Sequence, residues 1–262
     1  KQLGYPLRME ALAQPWLNKD KSKPEHKLSL KFTIISGIEL VNPYLALEGL
    51  EYTEIIVNNI KVPSTTMGWY VDECIKKVKI PNLPEGKSEI ILNISFTSKT
   101  NVEWCYLLGD FGVRVEGSNA RIMKAVRKLS FGNWTVQGLP FYAGNVTYHC
   151  EVETGDGNIS VEIPQYRNPV LSIAVDGEEK GKVAFAPYVL DLGAFEAGKH
   201  KVDITAFGNR VNTFGTVHNC NRSTFWYGPG TWRTTGSSWS YEYQLKEIGI
   251  LISPRFSYRR IL

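Results

Sequence analysis

Apolar and polar residues alternate along most of this chain, in short runs closed by turn residues. Lys27-Leu-Ser-Leu-Lys-Phe-Thr-Ile-Ile35 interleaves charged or hydroxyl side chains with apolar ones, the period-2 signature of a half-buried strand. Further strands are expected at 44–48, 54–58, 75–80, 88–96 and 104–115, punctuated by Pro43, Pro63, Pro81 and Pro84, because proline inside a central strand removes a ladder donor. A second set is expected at 134–136, 145–152, 158–163, 170–175, 182–185, 201–207, 240–245 and 250–252. Helical periodicity is almost absent. Short strands at regular spacing with turn residues between them predict an all-β protein of antiparallel sandwiches.

The pattern occurs twice. Glu54-Ile-Ile-Val-Asn-Asn59, Gly68-Trp-Tyr-Val-Asp72 and Leu83-Pro-Glu-Gly-Lys87 are echoed by Ser172-Ile-Ala-Val-Asp-Gly177, Pro187-Tyr-Val-Leu-Asp191 and Phe195-Glu-Ala-Gly-Lys199. Each copy reads as a strand, an Asn-Asn or Asp-Gly turn, a second strand, and a Gly-Lys turn into a third strand. The duplication predicts two β-sandwich domains in tandem. The stretch Gly117–Lys128 breaks the rhythm with modest helix propensity, so the expected division is 26–118 and 119–262. Residues 1–25 read as a linker or the remnant of an upstream domain.

Composition adjusts this picture only slightly. The chain has 262 residues, 43% of them hydrophobic and 12% aromatic, enough for two cores. A net charge of +4, with lysines and arginines scattered, argues against nucleic acid as a partner. No run approaches the roughly 18 apolar residues of a membrane helix, so no membrane partner is expected. No compartment follows, and secreted and cytoplasmic bacterial settings both stay open.

Candidate chemistry is sparse. Cys74, Cys105, Cys150 and Cys220 lack paired C-x-x-C spacing, so no metal site is expected, and buried free thiols are the default reading. Sequons at Asn93, Asn133, Asn145, Asn158 and Asn221 matter only in a eukaryotic secretory route. The carboxylates Asp72, Glu73, Asp110, Glu151, Glu153, Asp191 and Glu242 are read as solvent-facing rather than as a hydrolytic pair. His200, between two lysines, is read as exposed. No catalytic residue and no cofactor are assigned.

One segment stands apart. Between Asn219 and Trp239 the chain sets Phe225, Trp226, Tyr227, Trp232 and Trp239 among Gly, Ser and Thr, a composition unusual for a long connection that is merely flexible. Aromatic rings offer faces on which the C–H groups of a sugar stack, while amide and charged side chains bind hydroxyls. Trp226, Tyr227, Trp232, Arg233, His218, Asn219 and Asn221 are therefore the candidate carbohydrate-binding residues. The competing reading is that these rings close the end of the sandwich. Trp239, Tyr241 and Tyr243, at alternate positions of an expected strand, are read as sharing one packed face.

Phe141-Tyr-Ala-Gly-Asn-Val-Thr-Tyr148, with Asn133-Trp134 and Gln137-Gly-Leu-Pro140 before it, resembles the opening of galactose-binding-like jelly-roll domains of large glycoside hydrolases, of the family 2 sugar-binding type. The C-terminal sandwiches of α-L-rhamnosidase-like enzymes are similar. The likeness continues through Val175-Asp-Gly177, Pro187–Asp191, Gly198-Lys199 and the closing stretch Trp232–Pro254, and more loosely through residues 40–113. It implies jelly-roll sandwiches, a carbohydrate partner, and an upstream catalytic domain in the same chain. Nothing here carries the helix–strand alternation of a catalytic barrel. The expected function is that of non-catalytic accessory modules of a glycoside hydrolase, with an autonomous carbohydrate-binding module as the alternative and a catalytic jelly roll third.

Overall fold

The computed structural model describes residues 26–97, 100, 105–221 and 236–259. Two compact units emerge, one carrying the described residues through Ala125 together with Asn221 and residues 236–239, and the other built on Val126–Cys220 and the described residues from Ser240 onward. Both consist of strands, and the all-β expectation holds. In the first unit the strands are β1 (His26–Ser36), β2 (Tyr44–Leu47), β3 (Thr53–Val57), β4 (Ile60–Val62), β5 (Thr66–Tyr70), β6 (Asp72–Lys79), β7 (Gly86–Phe96), β8 (Cys105–Leu108), β9 (Gly112–Glu116) and β10 (Asn119–Met123). They form sheets in the orders β4-β3-β7-β1-β10-β9 and β5-β6-β2-β8. In the second unit, β11 (Val146–Thr154), β12 (Gly157–Glu162), β13 (Leu171–Val175), β14 (Glu178–Val183), β15 (Val189–Phe195), β16 (Gly198–Ala206) and β17 (Arg255–Arg259) form β11-β16-β13-β14 and β15-β12-β17.

The two orders are one topology. Matching β1, β2, β3, β4, β6, β7 and β8 with β11 through β17 in turn reproduces every neighbour relation of the second unit, so the first unit is the same sandwich with β5, β9 and β10 added. The turns coincide as well. Asn58 and Asn59 have φ 47° and 68°, Asp176 and Gly177 have φ 50° and 86°, the left-handed pair that a two-residue hairpin requires. Asn58 donates its N–H to Glu89 O at 2.9 Å and accepts from Glu89 N at 2.8 Å through its side chain. Asp176 donates to Lys201 O at 2.8 Å and accepts from Lys201 N at 2.9 Å. The copies diverge after β7 and β16: residues 97–104 lead to β8, whereas residues 207–254 lead to β17.

Alternation along the strands builds the two cores. Leu45, Ile55, Val57, Val78, Leu83, Ile90 and Leu92 are buried in the first, and Trp134, Ile163, Leu171, Ile173, Val202, Ile204 and Ile250 in the second. At the centre of the second, the indole N–H of Trp134 donates to the Tyr148 hydroxyl at 2.7 Å, and Phe131 stacks on Tyr148 with centroids 4.7 Å apart. A buried indole thereby keeps a hydrogen-bond partner.

Several local expectations are corrected. The stretch Gly117–Lys128 is not helical: Ile122 packs into the first core and Arg121 points out, and the turn at Gly117 (φ 60°) pairs β10 with β9. Alternation therefore wins over modest helix propensity, and a division at 118/119 would cut a hairpin. The run expected at 104–115 breaks into β8 and β9 at the bend Gly109-Asp110. Trp134–Gln137 is a 3-10 turn capped by the Asn133 side chain, which accepts from Thr135 N. Ser240–Leu245 is no strand, so the shared packed face of Trp239, Tyr241 and Tyr243 does not exist. Tyr241 is 79% exposed. Cys74 is exposed rather than buried, while Cys105 and Cys150 are half-buried free thiols.

Candidate functional site

The second sandwich gathers aromatic side chains at the end where β11 begins and β16 finishes. Phe141 and Tyr142 lead into β11, and the backbone folds tightly there because Gly208, just beyond β16, lies against them. A Cβ at Gly208 would collide with the carbonyls of Ala143 and Gly144, so only glycine fits this approach. The junction is pinned by Asn145, whose side-chain oxygen accepts from Gly208 N at 3.0 Å. Thr213 adds a second tie, donating its hydroxyl to Phe141 O at 2.8 Å.

Beyond Gly208 the long connection turns back across this end. Buried Asn212 clasps the returning chain, donating to Lys246 O at 2.9 Å and accepting from Lys246 N at 2.8 Å. Val217 O accepts from Gln244 N at 2.6 Å, and His218 O accepts from Ser240 N at 2.9 Å. These ties place His218, Tyr243 and Phe141 in a row. The Tyr243 ring lies 4.9 Å from that of His218 and 5.6 Å from that of Phe141, tilted 43° and 59°.

The electrostatics follow from this packing. His218 Nδ1 lies 3.0 Å from Ser240 O, and a carbonyl can only accept, so Nδ1 carries a proton. Burial raises the Tyr243 hydroxyl above its ordinary pKa, which keeps it a neutral donor. Tyr142, next to Phe141 in the chain, is 42% exposed, and Tyr241, two residues before Tyr243, is 79% exposed. The Tyr142 hydroxyl is oriented by donating to Asn145 O at 3.3 Å.

Of the residues singled out from the sequence, His218 and Asn219 lie at this end, both half-buried, and Asn219 N donates to Thr216 O at 2.9 Å. Asn221 is exposed. Trp226, Tyr227, Trp232 and Arg233 lie outside the described residues. The structure adds Phe141, Tyr142, Tyr241 and Tyr243, which alternation alone assigned to the sandwich entrance or to a strand. The clue available in the sequence was their position immediately beside turn-forming Gly, Asn and Ser.

Elsewhere, Asp72, Glu73, Asp110, Glu151, Glu153, Asp191 and Glu242 are all exposed. Glu151 pairs with Lys199 at 2.9 Å on β11, the edge of its sheet. Among the described residues no three His, Cys, Asp or Glu side chains converge to hold a metal ion. His200 is not exposed as expected: its side chain keeps 17% accessibility between Asp176 and the carbonyl of Glu196.

No known family's sequence profile matches the chain, and no curated protein sequence does. Among solved structures it is similar to a rhamnosidase from Novosphingobium sp. PP1Y, at 13% identity and TM-score 0.34 over 89% of this chain and 22% of that one. It is also similar to the apo form of a Pleurotus ostreatus lectin, at 10% identity and TM-score 0.24 over 70% of this chain and 67% of the lectin. The chain thus spans less than a quarter of the rhamnosidase's length.

Proposed function

We propose that this chain is a pair of galactose-binding-like jelly-roll modules, non-catalytic in themselves, that accompany the catalytic domain of a glycoside hydrolase and contact carbohydrate through the aromatic end of the second sandwich. The observation that carries this reading is the difference between two copies of one topology. Where the first copy connects β7 to β8 through residues 97–104, the second connects β16 to β17 through residues 207–254. That connection supplies His218, Tyr241 and Tyr243 to the end where Phe141 and Tyr142 already stand.

Strand-to-strand connections mounted on a rigid sandwich are where binding residues concentrate. Exposed tyrosine rings provide stacking faces for pyranose C–H groups, and their hydroxyls, with the neighbouring amides, provide hydrogen bonds. Tyr241 in particular exposes most of a large ring, 79% of it accessible. The same exposure supports the second reading, an autonomous carbohydrate-binding module.

Calorimetric titration of the full chain with mono- and oligosaccharides, guided by a glycan array, tests the proposal. Saturable binding that is weakened by Tyr241→Ala and by Trp226→Ala is the expected result. Hydrolysis of chromogenic glycosides by the chain alone would overturn the non-catalytic part of the reading.

A further inference from the structure

At the end of the second sandwich where β16 starts, His200 sits between two acceptors. Its Nδ1 is 2.7 Å from Asp176 Oδ2 and its Nε2 is 3.0 Å from Glu196 O. A carboxylate and a carbonyl both accept, so satisfying both contacts requires a proton on each ring nitrogen. A neutral imidazole carries one proton, and whichever tautomer forms would set a nitrogen lone pair against one of the two oxygens.

The ring joins two turns. Asp176 opens the β13–β14 hairpin and Glu196 precedes Gly198, where β16 begins. His200 also lines a shallow apolar recess between the sheets with Val152, Val175, Leu192, Phe195 and Phe256, and its ring meets that of Phe195 edge-on at 5.0 Å. The first sandwich holds an equivalent pair of a different kind. Glu89 is to Asn58 what Lys201 is to Asp176, so Ser88 corresponds to His200, and Asn58 donates to the Ser88 hydroxyl at 3.2 Å. One copy closes this corner with two neutral groups, the other with two ionisable ones.

We propose that Asp176 and His200 form a proton-operated latch, built only into the second copy of the fold, which ties the β13–β14 and β15–β16 turns together while the ring holds both protons and releases the Glu196 side when one is lost. The charges around the ring favour the closed form. The Asp176 carboxylate and the Glu196 carbonyl and side chain face it from the two turns, and Phe195 presents its ring with Lys180 Nζ 5.4 Å from that ring's centre. On β16 the flanking Lys199 and Lys201 stand in register opposite Glu153 and Glu151 of β11, Lys199 forming its ion pair with Glu151 at 2.9 Å, and the Asp156 carboxylate is engaged by Ala197 N at 2.7 Å.

Asp176 chiefly, then Glu196 O, raise the pKa of His200 above its ordinary 6.5, against a smaller desolvation effect. The hydrogen bond from His200 chiefly, then that from Lys201 N, lowers Asp176 below 3.8. The ring's contribution is therefore complete below 6.5 and is lost as pH rises through the raised folded-state value. That of Asp176 is complete above 3.8 and is lost as pH falls through its lowered one. The latch is closed between these limits.

The test is a histidine-resolved NMR titration of the full chain from about pH 5 to about pH 9, a range that brackets the ordinary histidine value, with hydrogen-exchange protection followed in the same samples. His200 should titrate above 6.5, with both ring nitrogens protonated below its midpoint. Asp176→Asn, which keeps the acceptor for Lys201 N and removes the charge, should lower the midpoint. Protection at Asp176 and Ala197 should fall roughly two- to tenfold across the transition, the loss expected for one hydrogen bond, while Asn58 and Glu89 stay level. In Asp176→Asn/His200→Ser, which installs the first copy's kind of pair, the fall should vanish. A midpoint at or below 6.5, a midpoint unmoved by Asp176→Asn, or equal changes at both corners would overturn the latch.

Discussion

Trp134 donates its indole N–H to the hydroxyl of Tyr148, 2.7 Å away in the buried centre of the second sandwich. Tyr148→Phe removes the acceptor and leaves a buried donor unsatisfied, which costs about 1–3 kcal/mol. Trp134→Ala costs about 3–5 kcal/mol because a large ring vanishes from a packed core. Denaturant unfolding followed by a probe in the second unit should rank Trp134→Ala as the more damaging. The opposite order would mean that the hydrogen bond, not the packing, dominates here.

Two glycines separate backbone strain from steric collision. Gly177 sits at φ 86° with nothing near the position of an added Cβ, so Gly177→Ala should cost about 1 kcal/mol from the left-handed conformation alone. Gly157 sits at φ 149°, and a Cβ there would meet Arg259 O at 2.5 Å and the Tyr258 ring at 2.9 Å. Gly157→Ala should therefore lower the second unit's melting temperature more than Gly177→Ala does.

The cysteines should differ in reactivity for different reasons. Burial pushes the Cys105 thiol up to about 11, so it stays protonated and slow toward alkylating agents at mildly alkaline pH, because the thiolate is the nucleophile. Cys74 is exposed, but its hydrogen bond to the Asp72 carboxylate, and then that carboxylate's charge, also raise it. Asp72→Asn should accelerate labelling of Cys74 and leave Cys105 unchanged, as peptide mapping of alkylated protein would show.

The fold was legible because its signals are local. The Asn58-Asn59 and Asp176-Gly177 turns announce themselves by residue type, and the alternation in 26–36 and 198–206 requires no knowledge of neighbours. What escaped was tertiary. Nothing local tells that Ile122 will be buried by the first sheet and draw a weakly helical stretch into a strand, or that Trp134 will enter the core from a 3-10 turn. The aromatic end was half legible. Its composition drew attention to 219–239, but Phe141 and Tyr243 meet only because Asn212 and Thr213 fold a long connection back across the sandwich.

Asn212 is the residue through which stability and binding should be linked. Asn212→Asp removes the donor to Lys246 O, and Asn212→Ala removes both bonds, at a cost of about 1–3 kcal/mol. Because the clasp positions Tyr243 and the chain on either side of it, both variants should weaken saccharide binding while leaving the first unit's unfolding unchanged. Full affinity in a destabilised Asn212→Ala protein would separate the clasp from the site.

The most direct measurement is calorimetric titration of the full chain, with Tyr142→Ala and Tyr241→Ala alongside, against the saccharides selected by a glycan array. Neither exposed ring belongs to the buried core, so both variants should fold. Saturable binding by the parent chain is expected, with a loss of about 0.5–1.5 kcal/mol for each ring removed, roughly two- to tenfold in Kd. No saccharide binding by the parent chain, or binding untouched in both variants, would contradict the proposed carbohydrate contact.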